Sequence, residues 1–378
     1  MSAGRKEEKM KKKVSLLLAL VMVFALCACG GNQSQGGQDN DSADTRTITD
    51  AVGRTVEIPA TVEKIVPLGN APRMISYLGL ADKVVGIGEC EIAESPIQAY
   101  AYPHAEAWSK LPVVGTDAMG ETAYYPEEII LAAPDVILCT YTADVADNIQ
   151  TQTGIPTVAV PQGALFGEDY EQALRIIGDV CGVSERAEAL IAFINSCLDD
   201  LKARTADIPD DNKPTVLGAG ATFKGSHSID GVYIDYPVFK VLAAKDVAAD
   251  AAEAGSMGVM VDREEILQWN PDIIFFDAGS MNLVNTDYAE SPDYFNQLDA
   301  VKNGKLYQWP NSTWHWSNVE MPLVSAYYTG ILLYPDAFAD VDFEAKASEI
   351  FDMFLGQPDY LAVLEAAGAG YGQVTLGE

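Results

Sequence analysis

The sequence predicts an α/β protein made of two similar lobes joined by one long helix. Short β-branched segments alternate with helical patterns in both halves of the chain, which indicates mostly parallel sheets covered by helices. Between the halves, residues 184–206 show helical spacing without a strand signal. EEIILAAPDVIL at 127–138 has a close copy, EEILQWNPDIIF, at 264–275. The same helix-to-strand element is therefore expected once in each lobe.

The predicted elements follow this plan along the chain. Strands are expected at 64–68, 83–88, 135–141 and 156–160 in the first lobe, and at 215–220, 271–277 and 304–310 in the second. Ser184 is expected to cap the long helix, because apolar residues recur after it at helical spacing. The expected boundaries are 47–183 for the first lobe, 184–206 for the connecting helix and 207–378 for the second lobe.

The N-terminus is predicted to be an export signal. A lysine-rich start precedes an apolar run from Val14 to Leu26, which is shorter than the roughly 20 residues that a spanning helix needs. Leu26-Cys27-Ala28-Cys29 matches the bacterial lipobox, so Cys29 is expected to become the lipidated first residue. Residues 1–29 then form the signal peptide and lipobox, and the Gly- and Gln-rich residues 30–46 a flexible tether. The start codon, Met1 or Met10, stays open.

The chain is strongly acidic. It holds 55 Asp and Glu against 24 Lys and Arg, a net charge of −31. Removing residues 1–28, which contain six of the basic and two of the acidic residues, leaves −35. Such a surface repels nucleic acid and anionic lipid headgroups, so no nucleic-acid partner and no membrane contact beyond a lipid anchor are expected. This charge has two interpretations: it provides a well-solvated extracellular surface, or it recruits cationic ligands.

Cysteine spacing and sequence motifs do not indicate an enzyme. After processing, Cys90, Cys139, Cys181 and Cys197 remain, and no CxxC occurs. Cys139 lies in an apolar run and is expected in the core, whereas pairing of Cys181 with Cys197 is left open. The sequence contains no GxSxG, HExxH or P-loop. We therefore expect no catalytic residues, no intrinsic cofactor and no dedicated metal site.

The repeated element places a glutamate near the start of each helix. Carboxylates there are favoured by the helix macrodipole, worth about 0.3–1 kcal/mol. Glu127 and Glu264 are therefore either ordinary first-turn residues or paired contacts for a partner with two equivalent halves.

Two of the three histidines lie in loops that are candidates for ligand binding. His227 and His315 follow predicted strands in segments rich in glycine and aromatic residues, and ligands of α/β sheets gather beyond strand ends. Each is either a ligand contact or a structural residue. Trp314 and Trp316 flank His315 and could stack on a planar ligand or pack in the core. His104 is expected to be an ordinary loop residue.

Residues 46–89 resemble the opening of the substrate-binding proteins of ABC importers for iron siderophores, haem and cobalamin. RTITDAVGRTVEIPATVEKIV followed by LADKVVGIGE matches the family's pattern, and its "E.Il...PD.Ii" element matches 127–137 and 264–274. The similarity extends from about residue 46 to 375. It implies the class III periplasmic-binding-protein fold, in which two Rossmann-like lobes are joined by a rigid helix and bind ligand in the cleft between them.

The resemblance also implies function. It implies a monomeric lipoprotein on the extracytoplasmic face of the cell membrane that captures an iron complex. The ligand would be a siderophore, haem, or a related metal chelate or corrinoid. Delivery is to a permease dimer with a cytoplasmic ATPase, and Glu127 and Glu264 would dock into arginine-containing pockets on its two subunits. Arg73 and Lys224 are the only basic residues in the loops expected at the cleft, which disfavours strongly anionic siderophores.

Cleft residues are assigned from the resemblance by position. Histidine and tyrosine can ligate haem iron, so His227, Tyr233 and His315 are the candidates to meet the metal of a bound haem or chelate. Rival interpretations are a ligand-sensing lipoprotein and a metal-dependent extracellular hydrolase using His227 or His315. The complete set expected at the cleft is Asn70, Arg73, Thr116, Tyr124 and Tyr141 from the first lobe, and Phe223, Lys224, His227, Tyr233, Ser280, Asn282, Trp314 and His315 from the second.

Overall fold

The computed structural model describes residues 44–116, 123–223, 225–251, 258–310 and 318–377. These residues belong to one structural unit. The predictions for Cys29, Lys224, Trp314 and His315 lie outside the described residues. Within the described ranges, no helix is long and apolar enough to cross a membrane.

The first half contains a hairpin and two small sheets. β1 and β2 pair antiparallel, β3, β7 and β8 form a parallel sheet, and β5 pairs parallel with β4 and antiparallel with β6. The strands are Thr45–Thr49 (β1), Thr55–Pro59 (β2), Ile65–Leu68 (β3), Ile87–Gly88 (β4), Val113–Thr116 (β5), Ala123–Tyr124 (β6), Val136–Cys139 (β7) and Thr157–Ala159 (β8).

The second half is built on one mixed sheet with the order β12-β10-β9-β13-β14-β15, and β11 also pairs with β9. Its centre, β9-β13-β14, is parallel, whereas β10, β12 and β15 run antiparallel to their neighbours, so the expectation of a mostly parallel sheet holds only for the centre. The strands are Thr215–Ala219 (β9), Gly231–Tyr233 (β10), Lys245–Asp246 (β11), Gly258–Met260 (β12), Ile273–Asp277 (β13), Leu306–Trp309 (β14) and Gly372–Gln373 (β15).

Helices connect and cover these strands. Those of the first half are Ala71–Tyr77 (α1), Ala105–Trp108 (α2), Pro126–Ala132 (α3), Ala143–Thr153 (α4) and Glu168–Cys181 (α5), followed by the long helix Ser184–Thr205 (α6). Those of the second half are Pro237–Val241 (α7), Arg263–Trp269 (α8), Met281–Glu290 (α9), Pro292–Phe295 (α10), Asp299–Lys302 (α11), Glu320–Leu333 (α12), Phe343–Leu355 (α13) and Tyr360–Ala366 (α14).

The long helix α6 has the predicted position and buried face. The apolar residues expected at helical spacing, from Ala187 to Leu201, are buried. Its start differs from the prediction, because Val183 occupies the capping position and Ser184 is already the first helical residue. Gly182, at φ 73°, ends α5 in a left-handed conformation that glycine adopts without steric cost, which separates the two helices.

The repeated element has the same local structure in both halves. α3 and α8 each end at a residue in the left-handed conformation, Ala133 at φ 49° and Asn270 at φ 41°. The isoleucine after the two glutamates, Ile129 or Ile266, is fully buried in each copy. The strand that follows, β7 or β13, is buried along its whole length, as expected for a strand covered on both faces.

The Pro-Asp pair of the element connects neighbouring parallel strands. Asp135 accepts hydrogen bonds from the backbone N–H groups of Glu63 and Lys64, both at 2.8 Å, just before β3 begins. Asp272 accepts from the N–H of Thr215 at 2.8 Å and from its hydroxyl at 2.9 Å, at the first residue of β9. Each aspartate thus fastens the start of its own strand to the start of the adjacent strand.

Candidate ligand-binding site

The carboxyl ends of the first-half strands surround a small recess. It lies beyond β3, β4 and β5, and the predicted residues Thr116 and Tyr141 line it together with Cys90 and Glu91. Gly115 belongs to the same lining, and a Cβ atom there would come within 2.5 Å of the Ala123 carbonyl oxygen, so glycine permits the close pairing of β5 with β6. Sequence reasoning overlooked Cys90 and Glu91, which follow a short predicted strand without any motif.

Other residues expected at the first-half cleft are placed differently. Tyr124 is half-buried and its hydroxyl accepts a hydrogen bond from the Asn148 amide at 2.5 Å. Asn70 is fully buried, and its backbone N–H donates to the Thr140 hydroxyl at 2.8 Å. Arg73 is fully buried in α1. Neither Asn70 nor Arg73 lines the recess described above.

Arg73 belongs to a buried polar cluster next to the recess. Its guanidinium lies 4.7 Å from the centre of the Tyr100 ring and donates to the Tyr100 hydroxyl at 3.3 Å. Tyr100 in turn donates to the Glu91 carboxylate, and the Gln98 amide donates to Tyr100 at 3.1 Å. Burial opposes the charge of Arg73, but Tyr100 and Glu91 raise its pKa. Within the part of the chain that the structure describes, the Nε and Nη1 atoms of Arg73 have no hydrogen-bond partner.

In the second half, a buried carboxylate organises the strand ends. Asp277, the last residue of β13, accepts hydrogen bonds at 2.8 Å from the hydroxyls of Thr222 and Tyr233 and from the N–H of Gly279. Burial raises the pKa of Asp277 to about 6, although all three hydrogen bonds favour the charged form. Asp277 was not among the predicted site residues, because only the folded chain brings its partners together.

The predicted residues of the second half fall into two groups. Tyr233 and Ser280 are buried beside Asp277, and the hydroxyl oxygen of Ser280 has no hydrogen-bond partner in the described ranges. Asn282, two residues further along the chain, is exposed. Phe223 and His227 contact each other, with ring centres 4.2 Å apart and a 2.8 Å hydrogen bond between His227 Nε2 and the Phe223 carbonyl oxygen. His227 therefore uses one ring nitrogen to hold its own loop.

His104 is more enclosed than expected for a loop residue. Its Nε2 lies 3.0 Å from the Ser76 hydroxyl oxygen, and its ring lies 5.1 Å from that of Trp108. Burial lowers the pKa of His104. His104 therefore packs against α1 and α2.

A buried hydrogen bond joins the two halves of the chain. The Tyr77 hydroxyl, at the end of α1, donates to the Glu320 carboxylate at the start of α12 and accepts from the Val319 N–H at 3.3 Å. The contact therefore joins the helix that follows β3 to the helix α12, which comes after β14 in the chain. Burial raises the pKa of Glu320.

Thiols and carboxylates do not form a metal site in the described part of the chain. No group of three or more His, Cys, Asp or Glu side chains there could hold a metal ion. Cys139 is buried, as expected, and Cys181 and Cys197 are present as unpaired thiols.

The comparisons with known proteins identify the family. Residues 73–313 match the model of the periplasmic binding proteins. The chain belongs to this family. This periplasmic binding protein is therefore a solute-binding protein of the ABC-importer type and not an enzyme, and the hydrolase alternative is wrong.

Curated relatives cover most of the chain at low identity. The uncharacterized ABC transporter substrate-binding lipoprotein YvrC of Bacillus subtilis is 26% identical over 79% of this chain and 90% of its own length. The iron(3+)-hydroxamate-binding protein FhuD of Bacillus subtilis is 24% identical over 79% and 90%. The molybdate-binding protein MolA of Haemophilus influenzae is 22% identical over 82% and 90%.

Solved structures confirm the predicted class III fold. A periplasmic solute binding protein from Veillonella parvula DSM 2008 aligns with a TM-score of 0.66 at 23% identity, covering 83% of this chain and 93% of the other. MolA bound to molybdate aligns with a TM-score of 0.63 at 19% identity, covering 82% and 98%.

Proposed function

We propose that this periplasmic binding protein is a lipid-anchored, extracytoplasmic component of an ABC importer that captures an iron complex between its two lobes. The observation that carries the proposal is the gathering of polar side chains at the strand ends of each half, around the recess in the first and around Asp277 in the second. Open α/β sheets bind ligands at the carboxyl ends of their strands. A ligand held there would touch the recess of the first half and the loops around Asp277 in the second.

The chemistry of the strand ends supports a neutral or cationic metal chelate. The first-half recess presents Thr116, Tyr141 and the carboxylate of Glu91. In the second half the buried polar groups are the Ser280 hydroxyl and the Asp277 carboxylate. In the first half, the guanidinium of Arg73 is enclosed by Tyr100. Curated relatives are named for iron(3+)-hydroxamate, Fe(3+)-citrate, petrobactin and molybdate, so iron complexes are the commonest ligands among these names.

Docking to the permease is assigned to the repeated element. Glu127 and Glu264 are exposed in the first turns of α3 and α8. Both helices end at a left-handed C-cap residue, and in both elements the aspartate of the Pro-Asp pair binds the start of the adjacent strand. A permease with two equivalent subunits would be contacted twice by one chain. Charge pairs of this kind set the orientation and rate of association.

The proposal is tested by ligand capture. Protein spanning residues 46–378 is titrated with haem, cobalamin, ferric hydroxamate, ferric citrate and molybdate, while tryptophan fluorescence and visible absorbance are followed. We expect a saturable response to one class of iron complex. Saturation with molybdate alone, or no response to any iron complex, would contradict the proposed ligand.

A further inference from the structure

The exposed face of α3 is unusually apolar. Leu131 is 76% exposed, Ile130 48% and the preceding Tyr125 39%. Residues three and four positions apart share a helix face, so Ile130 and Leu131 lie one turn below Glu127, while Ile129 is buried on the opposite side. Tyr125, Ile130 and Leu131 are called the apolar face below. Adjoining exposed apolar side chains of this kind are typical of an interaction surface.

The second copy of the element lacks this face. The position that matches Leu131 is Gln268, which is exposed, and the one that matches Ile130 is Leu267, which is half-buried. Asp262 stands where the first copy has Tyr125. The two elements therefore agree in their glutamates, left-handed C-caps and aspartate hydrogen bonds but differ in the apolar area that surrounds the glutamate.

Building on the proposed function, we propose that docking to the permease is asymmetric. The apolar face inserts into an apolar pocket on one permease subunit, beside the basic group that receives Glu127. The element containing Glu264 contacts the other subunit through polar groups alone. One leucine buried at an interface is worth roughly a tenfold change in affinity, so the first element would contribute more of the docking affinity than the second.

The negative charge beside the apolar face favours a permease over other binding partners. Glu127 and Glu128 are both exposed beside it, and the chain carries a net charge of −31. An anionic lipid surface would be repelled by these carboxylates. A second copy would place the same glutamates against each other, because identical patches meet in a two-fold dimer. A protein surface with basic groups around an apolar pocket is complementary to both features.

Photo-cross-linking at matched positions tests this proposal. Benzoylphenylalanine replaces Glu128 in one full-length protein and the matched Glu265 in another, so that each element carries its own probe. Both proteins are incubated at subsaturating concentration with membranes of the source bacterium and irradiated, and the adducts are identified by mass spectrometry. Each probe is combined with Leu131→Gln or with the matched control Gln268→Ala. Thermal unfolding verifies that both variants are folded.

We expect both probes to form an adduct with the permease. Leu131→Gln should lower the adduct yield of the position-128 probe roughly tenfold, whereas Gln268→Ala should leave that yield within about twofold of the unsubstituted protein. Permease adducts that do not respond to Leu131→Gln would overturn the asymmetry while the docking assignment stands. Adducts of the position-128 probe with lipid or with a second copy would overturn the chosen partner. Absence of permease adducts from both probes would overturn the proposed function as well.

Discussion

Asp246 is a half-buried residue whose carboxylate charge opposes folding. Burial raises its pKa to about 6, one oxygen accepts from the Ala248 N–H at 2.9 Å, and the other has no hydrogen-bond partner among the described residues. The folded state therefore binds more protons than the unfolded state between about pH 4 and pH 6. The contribution of Asp246 to the free energy of unfolding falls as the pH rises through this window and stays low above it.

Replacing Asp246 with asparagine tests this assignment. The variant cannot ionise and keeps an oxygen for the Ala248 N–H, so we expect its free energy of unfolding at pH 7.5 to exceed that of the parent by about 1–3 kcal/mol. At pH 4, where the parent carboxyl is protonated in the folded state, the difference should vanish. Urea denaturation at both pH values measures it. An equal gain in the free energy of unfolding at both pH values would show that the effect comes from packing and not from charge.

The Arg73 cluster predicts strong coupling between two buried charges. Arg73→Met would remove the positive charge next to Glu91, and Glu91→Gln would remove the negative charge next to Arg73. Because the Tyr100 hydroxyl lies between the two charges, each single loss should cost about 1–3 kcal/mol. We expect the double variant to be more stable than the sum of the single losses predicts, by about 1–3 kcal/mol. Denaturation of all four proteins provides the cycle, and strict additivity would show that the two groups do not interact.

At the scale of elements, the sequence predicted what depends on local pattern. The helix-to-strand repeat was recognised because its Pro-Asp pair and buried isoleucine recur at fixed spacing, and the structure reproduces the element in both halves. The strands β10 and β12 were missed because they have three residues each and no clear alternation. Short strands of this kind are fixed by the neighbours with which they pair.

The candidate site was less predictable than the fold. Thr116 and Tyr141, which loop position assigned to the cleft, line the recess, and their contact with a ligand stays a prediction. Arg73 was expected in an open loop, but α1 begins at Ala71 and the side chain is enclosed by residues from distant segments. Asp277 gains its hydrogen bonds from residues 44 and 55 positions away in the chain. Contacts between residues so far apart in the chain produce no periodic pattern in a single sequence.

The repeated element also predicts how transport fails. Glu127→Ala combined with Glu264→Ala removes both exposed carboxylates that are proposed to dock, so uptake of the ligand should fall to background while its affinity for the purified protein stays unchanged. Glu128→Ala combined with Glu265→Ala is the matched control, because these exposed glutamates lie one position further along each helix. Uptake in cells and binding by fluorescence are measured in parallel. Full uptake by the first double variant would refute the docking assignment.

For the whole molecule, the halves are held by more than the chain that joins them. Arg186 of α6 donates from Nε to the Tyr77 carbonyl oxygen at 3.1 Å and also contacts the Met353 carbonyl oxygen, and the Tyr360 hydroxyl donates to the Pro96 carbonyl oxygen at 2.7 Å. The connecting helix is thus bonded to elements of both halves.

Such cross-bonding predicts little closure on binding. Small-angle scattering of residues 46–378, without ligand and saturated with the ligand identified by titration, should give superimposable curves. A hinge that opens widely, as in domain-closure proteins, would give a smaller radius of gyration with ligand. That outcome would show that the connecting helix or its contacts yield on binding.

The four thiols of the described residues differ sharply in chemical accessibility. Burial raises the pKa to about 12 for Cys139 and Cys181 and to about 11 for Cys197, so few thiolates form at these sites near neutral pH. Cys90 is half-buried and lines the first-half recess. A maleimide dye added to residues 46–378 should therefore attach at one place. The native sequence thus supplies an optical reporter beside the proposed cargo, without any engineered cysteine.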